Sequence, residues 1–126
     1  MKRVLVVDDD PSHALLAQLV LERAGFSVRH AADGPLALEA LAEDPLPDLV
    51  LLDVMLPRLD GFEVLRRMRA DARTKELPVI MVTSFSRDQD AAHGRKLGAN
   101  DYIVKPLMET DFIKRVKALI QAPEAG

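Results

Sequence analysis

The sequence predicts an α/β fold: five βα units forming a doubly wound parallel sheet with helices on both faces. Three observations predict it. The runs Val4-Leu5-Val6-Val7, Leu49-Val50-Leu51-Leu52 and Val79-Ile80-Met81-Val82 are wholly apolar, and apolarity without alternation marks strands covered on both faces. Stretches with apolar residues at helical spacing separate the strand-like runs. Asp, Pro and Gly residues punctuate the boundaries. Alternating units of this kind give a parallel sheet, and 126 residues suit one domain.

Taken in order, the expected strands are Arg3–Val7, Ser27–Ala31, Asp48–Leu52, Pro78–Thr83 and Asp101–Val104. The first expected helix, Pro11–Ala24, carries Leu15, Leu16, Leu19 and Val20 at helical spacing and stops at Gly25. Gly34–Glu43 follows Asp33 as a cap. Gly61–Ala70 opens on Asp60-Gly61-Phe62-Glu63, a pattern like a capping box, with Phe62, Leu65 and Met68 inward. A fourth helix, capped within Ser86-Arg87-Asp88-Gln89, runs to Leu97 and ends at Gly98. Its apolar content is mainly Ala91, Ala92 and Leu97, and Gly94 interrupts it, so it is expected to be the most weakly anchored helix. The last, about Glu109–Gln121, has Phe112, Val116, Leu119 and Ile120 on one side. The expected domain is 1–121, with 122–126 a frayed tail or the start of a linker.

Composition excludes several functions. There is no cysteine, so disulfides and thiolate metal sites are out. The formal net charge of −3 argues against a nucleic-acid surface. No apolar run approaches the roughly 20 residues of a membrane span, and no signal peptide is visible. The chain reads as cytoplasmic.

The chemistry lies at the carboxyl ends of the strands, where doubly wound sheets place their sites. Strand one ends in Asp8-Asp9-Asp10, strand three in Asp53, strand four in Thr83 and strand five in Lys105. Taken singly, Asp8–Asp10 also suits a solvated loop capping the next helix, Lys105 an exposed lysine, and Thr83 an ordinary β-branched strand residue. Together they form a set. Converging Asp8, Asp9 and Asp53 would repel one another unless a cation is present. Carboxylates without thiolate or clustered imidazole make a hard oxygen site that suits Mg²⁺. Lys105 and Thr83 can engage phosphoryl oxygens, and an ionised carboxylate at Asp53 is a nucleophile that needs no general base. The parts suit phosphoryl transfer, which depends mostly on positioning and charge stabilisation. Pro106 after Lys105 is a candidate for a cis bond that would orient the lysine inward. His13, His30 and His93 are scattered, with no relay role expected, and Arg66, Arg67 and Arg69 read as a solvated helix face.

These motifs, with Leu51-Leu52-Asp53-Val54-Met55-Leu56-Pro57, Asp60-Gly61 and Gly98-Ala99-Asn100-Asp101-Tyr102-Ile103-Val104-Lys105-Pro106, resemble the receiver domain of bacterial two-component response regulators. The match spans about Lys2 to Gln121. The resemblance implies a flavodoxin-like sheet in the order 2-1-3-4-5 and a phosphoacceptor at Asp53. It implies Mg²⁺ (or Mn²⁺) held by Asp8, Asp9 (the more direct ligand), Asp53 and the backbone carbonyl of Met55. Thr83 and Tyr102 match the switch residues and Lys105 the family's lysine. The implied donor is a sensor histidine kinase or phosphotransfer protein. The implied readout is a changed surface of helix four, strand five and helix five, met by a downstream protein, an excised output domain or a second copy. Such a domain is a signalling module, not an enzyme, and promotes only its own phosphorylation and dephosphorylation. Ser84 stands where a smaller alanine is frequent. Apolar Met55 and Phe85 occupy lifetime-tuning positions and imply a long-lived phosphoryl state.

Two other readings each fit part of the sequence. Asp8-Asp9-Asp10 contains an Asp-x-Asp after an apolar strand, as in haloacid-dehalogenase-type phosphatases. That family needs a further acidic motif beyond the lysine and leaves Asp53 without a role. An unphosphorylated receiver serving as a docking module is the other.

Overall fold

The computed structural model describes residues 1–84, 88–105 and 109–120. Its strands are β1 (Arg3–Val7), β2 (Ser27–Ala31), β3 (Leu49–Asp53), β4 (Val79–Thr83) and β5 (Asp101–Val104). All neighbours pair in parallel, in the expected order β2-β1-β3-β4-β5. Between and after them lie α1 (Pro11–Arg23), α2 (Gly34–Leu41), α3 (Gly61–Ala70), α4 (Asp88–Leu97) and α5 (Glu109–Leu119). The expected elements are present with ends moved by a few residues. Asp53 is the last residue of β3, whereas Asp48 lies before it and mimics a strand partner: its backbone N–H donates to Arg3 O (2.7 Å) and its carboxylate accepts from Arg3 N–H (2.7 Å). Ser86 and Arg87 of the segment expected to cap α4, and the 122–126 tail, lie outside the described residues.

Side chains alternate across the sheet with the strand period of two. Leu5, Val7, Val50, Leu52, Val79, Met81 and Tyr102 join a layer closed by α2, α3 and α4. Val4, Val6, Leu49, Leu51, Ile80, Val82 and Ile103 join the opposite layer under α1 and α5, with Phe112 and Val116 from α5. Each fully buried Val, Leu or Ile contributes about 1.5–3 kcal/mol relative to exposure, which explains why β1, β3 and β4 tolerate almost no polar residue.

The helix starts follow from their caps. Asp10 accepts hydrogen bonds from Ser12 and His13 N–H, with Pro11 in the first turn. Asp33 caps α2 through Leu36 N–H and Asp60 caps α3 through Glu63 N–H. The Glu63 side chain turns to Arg66 and Arg67, which hold its carboxyl down at about 2.

Two expectations need correction. The face that α1 buries is Ala14, Ala17, Val20 and Leu21; Leu15, Leu16 and Leu19 are half-exposed. Two alanines let the helix lie close to the sheet, and the bulkier leucines are left outside. Arg69 is not part of a solvated face. Its guanidinium donates to the carbonyls of Thr74, Leu77 and Gly98 and to Asn100 Oδ1, tying α3 to the chain entering β4 and β5.

Glycines decide two close approaches. A Cβ on Gly61 would lie 2.1 Å from Asp53 O, whereas one on Gly94 would meet Met81, Phe62 and Tyr102 at ordinary contact distances of 3.6–3.7 Å. Gly61→Ala is therefore expected to destabilise the fold by about 1–3 kcal/mol or more through overpacking. Gly94→Ala is expected to stabilise it by about 1 kcal/mol, since alanine is the better helix former. Chemical denaturation checks both, and the two changes must have opposite signs.

Candidate functional site

The carboxyl ends of β1, β3, β4 and β5 meet at one edge of the sheet. β1 and β3 are neighbours, and their helices α1 and α3 leave on opposite faces, which opens a crevice there. Asp8 follows β1 and Asp53 closes β3; both are buried, while Asp9 is exposed. Carboxylate oxygens of Asp8, Asp9 and Asp53 all lie within 4.8 Å of one another.

The two buried carboxylates are held alike. Asp8 Oδ1 accepts from Asp10 N–H (2.9 Å) and Asp53 Oδ1 accepts from Met55 N–H (3.0 Å). Their other oxygens share one ammonium: Lys105 Nζ lies 3.0 Å from Asp8 Oδ2 and 2.8 Å from Asp53 Oδ2. Lys105 reaches them because its own N–H donates to Thr83 O (2.7 Å), continuing the β4–β5 ladder one step past the strand. The Lys105 side chain is only 9% exposed. An ion pair this deep carries a large desolvation cost that the mutual attraction must offset.

Burial pushes the Asp53 carboxyl above the usual carboxylate value, against the opposing pull of Lys105 and of Met55 N–H. Lys105 is raised: burial works against its charge, and the hydrogen bonds and charges of Asp53 and Asp8 outweigh it.

Of the other expected residues, Thr83 is fully buried at the end of β4. It alternates onto the sheet face of Met81 and Tyr102, and Tyr102 pairs in register with Met81. Tyr102 is buried among the α3 and α4 side chains. The Met55 side chain is exposed beside Asp53. Pro106 and Phe85 lie outside the described residues.

Sequence reasoning missed two neighbours of the site. His13 Nδ1 lies 3.0 Å from Lys105 Nζ, and His30 Nε2 lies 2.8 Å from Asp8 O. Spacing carries no sign of either, because the partners are 92 and 22 residues away.

A model of the response regulator receiver domain family matches residues 4–117. The chain belongs to this receiver domain family. It is 44% identical to the DNA-binding dual master transcriptional regulator RpaA of Synechocystis over 121 residues, covering 96% of this chain and 50% of the relative. It is 38% identical to the protein PilH of Pseudomonas aeruginosa, covering 95% of this chain and 98% of PilH. The chemotaxis protein CheY4 of Vibrio cholerae superposes with a TM-score of 0.89 at 30% identity, covering 95% of this chain and 99% of that one. The chain spans about half the length of the first of these relatives. As a receiver it is a phosphoacceptor module of two-component signalling. The haloacid-dehalogenase alternative fails: the chain falls in another family, and Asp53, which that reading leaves idle, shares a lysine with Asp8.

The raised Asp53 pKa has a consequence for stability. A carboxyl raised in the fold stabilises below its unfolded value, here 3.8, and that contribution is lost as pH rises through the folded value. At neutral pH the ionised Asp53 therefore disfavours the fold. Asp53→Asn is expected to raise the melting temperature of metal-free protein at pH 7, with the gain shrinking as pH falls toward 3.8. A lower melting temperature for the variant at pH 7 would contradict this.

Proposed function

We propose that residues 1–121 form a receiver unit that takes a phosphoryl group on Asp53, with Mg²⁺ or Mn²⁺ beside it, and passes the signal through a changed surface. The observation that carries this is the convergence of Asp8, Asp9 and Asp53 on one another, with Lys105 bridging the two buried carboxylates.

The donor set fits the ion. Carboxylate oxygens of Asp8, Asp9 and Asp53, with the Met55 carbonyl, are the hard ligands Mg²⁺ takes, few enough to leave positions for water and phosphate oxygens. When bound, the ion neutralises charge on the phosphoryl oxygens and on the carboxylates. The residues supply the remainder. An Asp53 oxygen forms the new O–P bond while the P–N bond of a phosphohistidine or phosphoramidate donor breaks, and its electron pair leaves with the nitrogen, which takes a proton. Met55 N–H fixes the rotation of the Asp53 carboxylate, so its attacking oxygen is aimed without loss of freedom at the moment of reaction. Lys105 is the positive partner for the transferred group, and the Thr83 hydroxyl donates to another phosphoryl oxygen.

Thr83 and Tyr102 are the switch residues of this reading, sharing one sheet face beneath α4. Movement of the Thr83 hydroxyl toward the phosphoryl group frees space for the Tyr102 ring. The altered α4–β5–α5 surface then meets a downstream protein, an attached output domain or a second copy. The net charge of −3 supports a protein rather than a nucleic acid as the contact of this unit. Among the described residues no helix is long and apolar enough to cross a membrane, which is compatible with a cytoplasmic encounter with a histidine kinase or phosphotransfer protein. On this reading the unit turns over no other substrate. Met55 offers no group to orient an attacking water, so the phosphoryl state is long-lived.

Intact mass after incubation with phosphoramidate and Mg²⁺ tests the proposal. One phosphoryl group is expected, absent with chelator and absent in Asp53→Asn; an adduct on the variant overturns the assignment. Mg²⁺ at about a hundred times its Kd is expected to stabilise wild type by about 2.7 kcal/mol. Asp9→Asn should lose most of that gain in a thermal-shift titration.

A further inference from the structure

We infer that His13 is a positioning residue for the phosphoryl-transfer site, acting as a neutral hydrogen-bond acceptor that fixes the Lys105 ammonium. An ammonium has three N–H donors and no acceptor. Lys105 Nζ has three partners at hydrogen-bond distance: Asp53 Oδ2 at 2.8 Å, Asp8 Oδ2 at 3.0 Å and His13 Nδ1 at 3.0 Å. Since Lys105 can only donate, Nδ1 of His13 accepts, and the ring proton sits on Nε2. The Asp10 carboxylate oxygen Oδ2 is 3.6 Å from Nδ1, beyond hydrogen-bond range, so it does not hold a proton on that nitrogen.

The helix start places this half-exposed ring beside the site. His13 stands in the first turn of α1, where its own N–H is drawn to the Asp10 cap and Pro11 pre-sets the helix. It lines the small cavity beneath Asp8 and Asp53, with Val6, Ala17 and Val82. A third carboxylate at this point would add negative charge to a site already rich in it. Leaving the third donor of Lys105 unpaired in a buried position would cost stability. A neutral imidazole nitrogen avoids both. It also gives Lys105 a fixed anchor that remains when Asp53 is phosphorylated and its charge is redistributed.

This rests on Asp53 as phosphoacceptor, and the test separates the two. His13→Leu keeps bulk but loses the acceptor; His13→Asn puts an amide oxygen near the position of Nδ1. Phosphorylation rates from phosphoramidate at saturating Mg²⁺ are expected to fall about tenfold or more in His13→Leu and to recover in His13→Asn, with the melting temperature lowered in His13→Leu and close to wild type in His13→Asn. In ¹⁵N-lysine spectra a slowly exchanging Lys105 ammonium signal is expected in wild type and His13→Asn and lost in His13→Leu. Equal rates in wild type and His13→Leu, equal slowing in both variants, or an unchanged ammonium signal in His13→Leu overturns the inference. A wild type that takes no phosphoryl group overturns the functional reading instead, and the ammonium spectra still decide the role of His13.

Discussion

One ammonium group makes the rest of the site possible. Asp8 and Asp53 are buried at the edge of a sheet whose inner strands β1, β3 and β4 are almost all apolar, and two such carboxylates would repel each other at close range. Lys105 lies between them at 3.0 and 2.8 Å. Its position follows from topology. β5 is separated from β3 by β4, so a long side chain leaving the end of β5 spans the edge to the crevice between β1 and β3. The bond from Lys105 N–H to Thr83 O fixes where that side chain begins.

The same arrangement is poised for chemistry. Each buried carboxylate keeps one oxygen on a backbone N–H and one on Lys105, so neither rotates freely. Burial raises the Asp53 carboxyl while Lys105 opposes it, which leaves the ionised form costly in the absence of a further cation. A divalent ion or a transferred phosphoryl group changes that balance, and this sensitivity to added charge is what a phosphorylation switch requires. The strain is local: below the edge the sheet is held by two continuous apolar layers, one on each face.

Much of this was legible in the sequence because burial on both faces leaves a plain mark. Val4-Leu5-Val6-Val7 and Val79-Ile80-Met81-Val82 cannot be much besides inner strands, and a polar residue at the end of each run reports the edge. Asp8, Asp53, Thr83 and Lys105 fall together for that reason. The α1 face was not legible, because hydrophobicity alone favours Leu15, Leu16 and Leu19 over Ala14 and Ala17, whereas close approach to the sheet favours small residues. Arg69 looked like its neighbours Arg66 and Arg67 because a run of like residues does not show which one faces carbonyl oxygens. His13 carried no pattern at all; its role depends on where a lysine 92 residues later arrives.

On the proposed function Asp53, and neither Asp8 nor Asp9, takes the phosphoryl group. Borohydride reduction of the phosphorylated protein followed by peptide mapping tests it most directly, since an acyl phosphate is reduced to an alcohol where it forms. Homoserine is expected in place of aspartate at position 53, with Asp8 and Asp9 intact. Reduction at Asp8 or Asp9, with Asp53 unchanged, would contradict it.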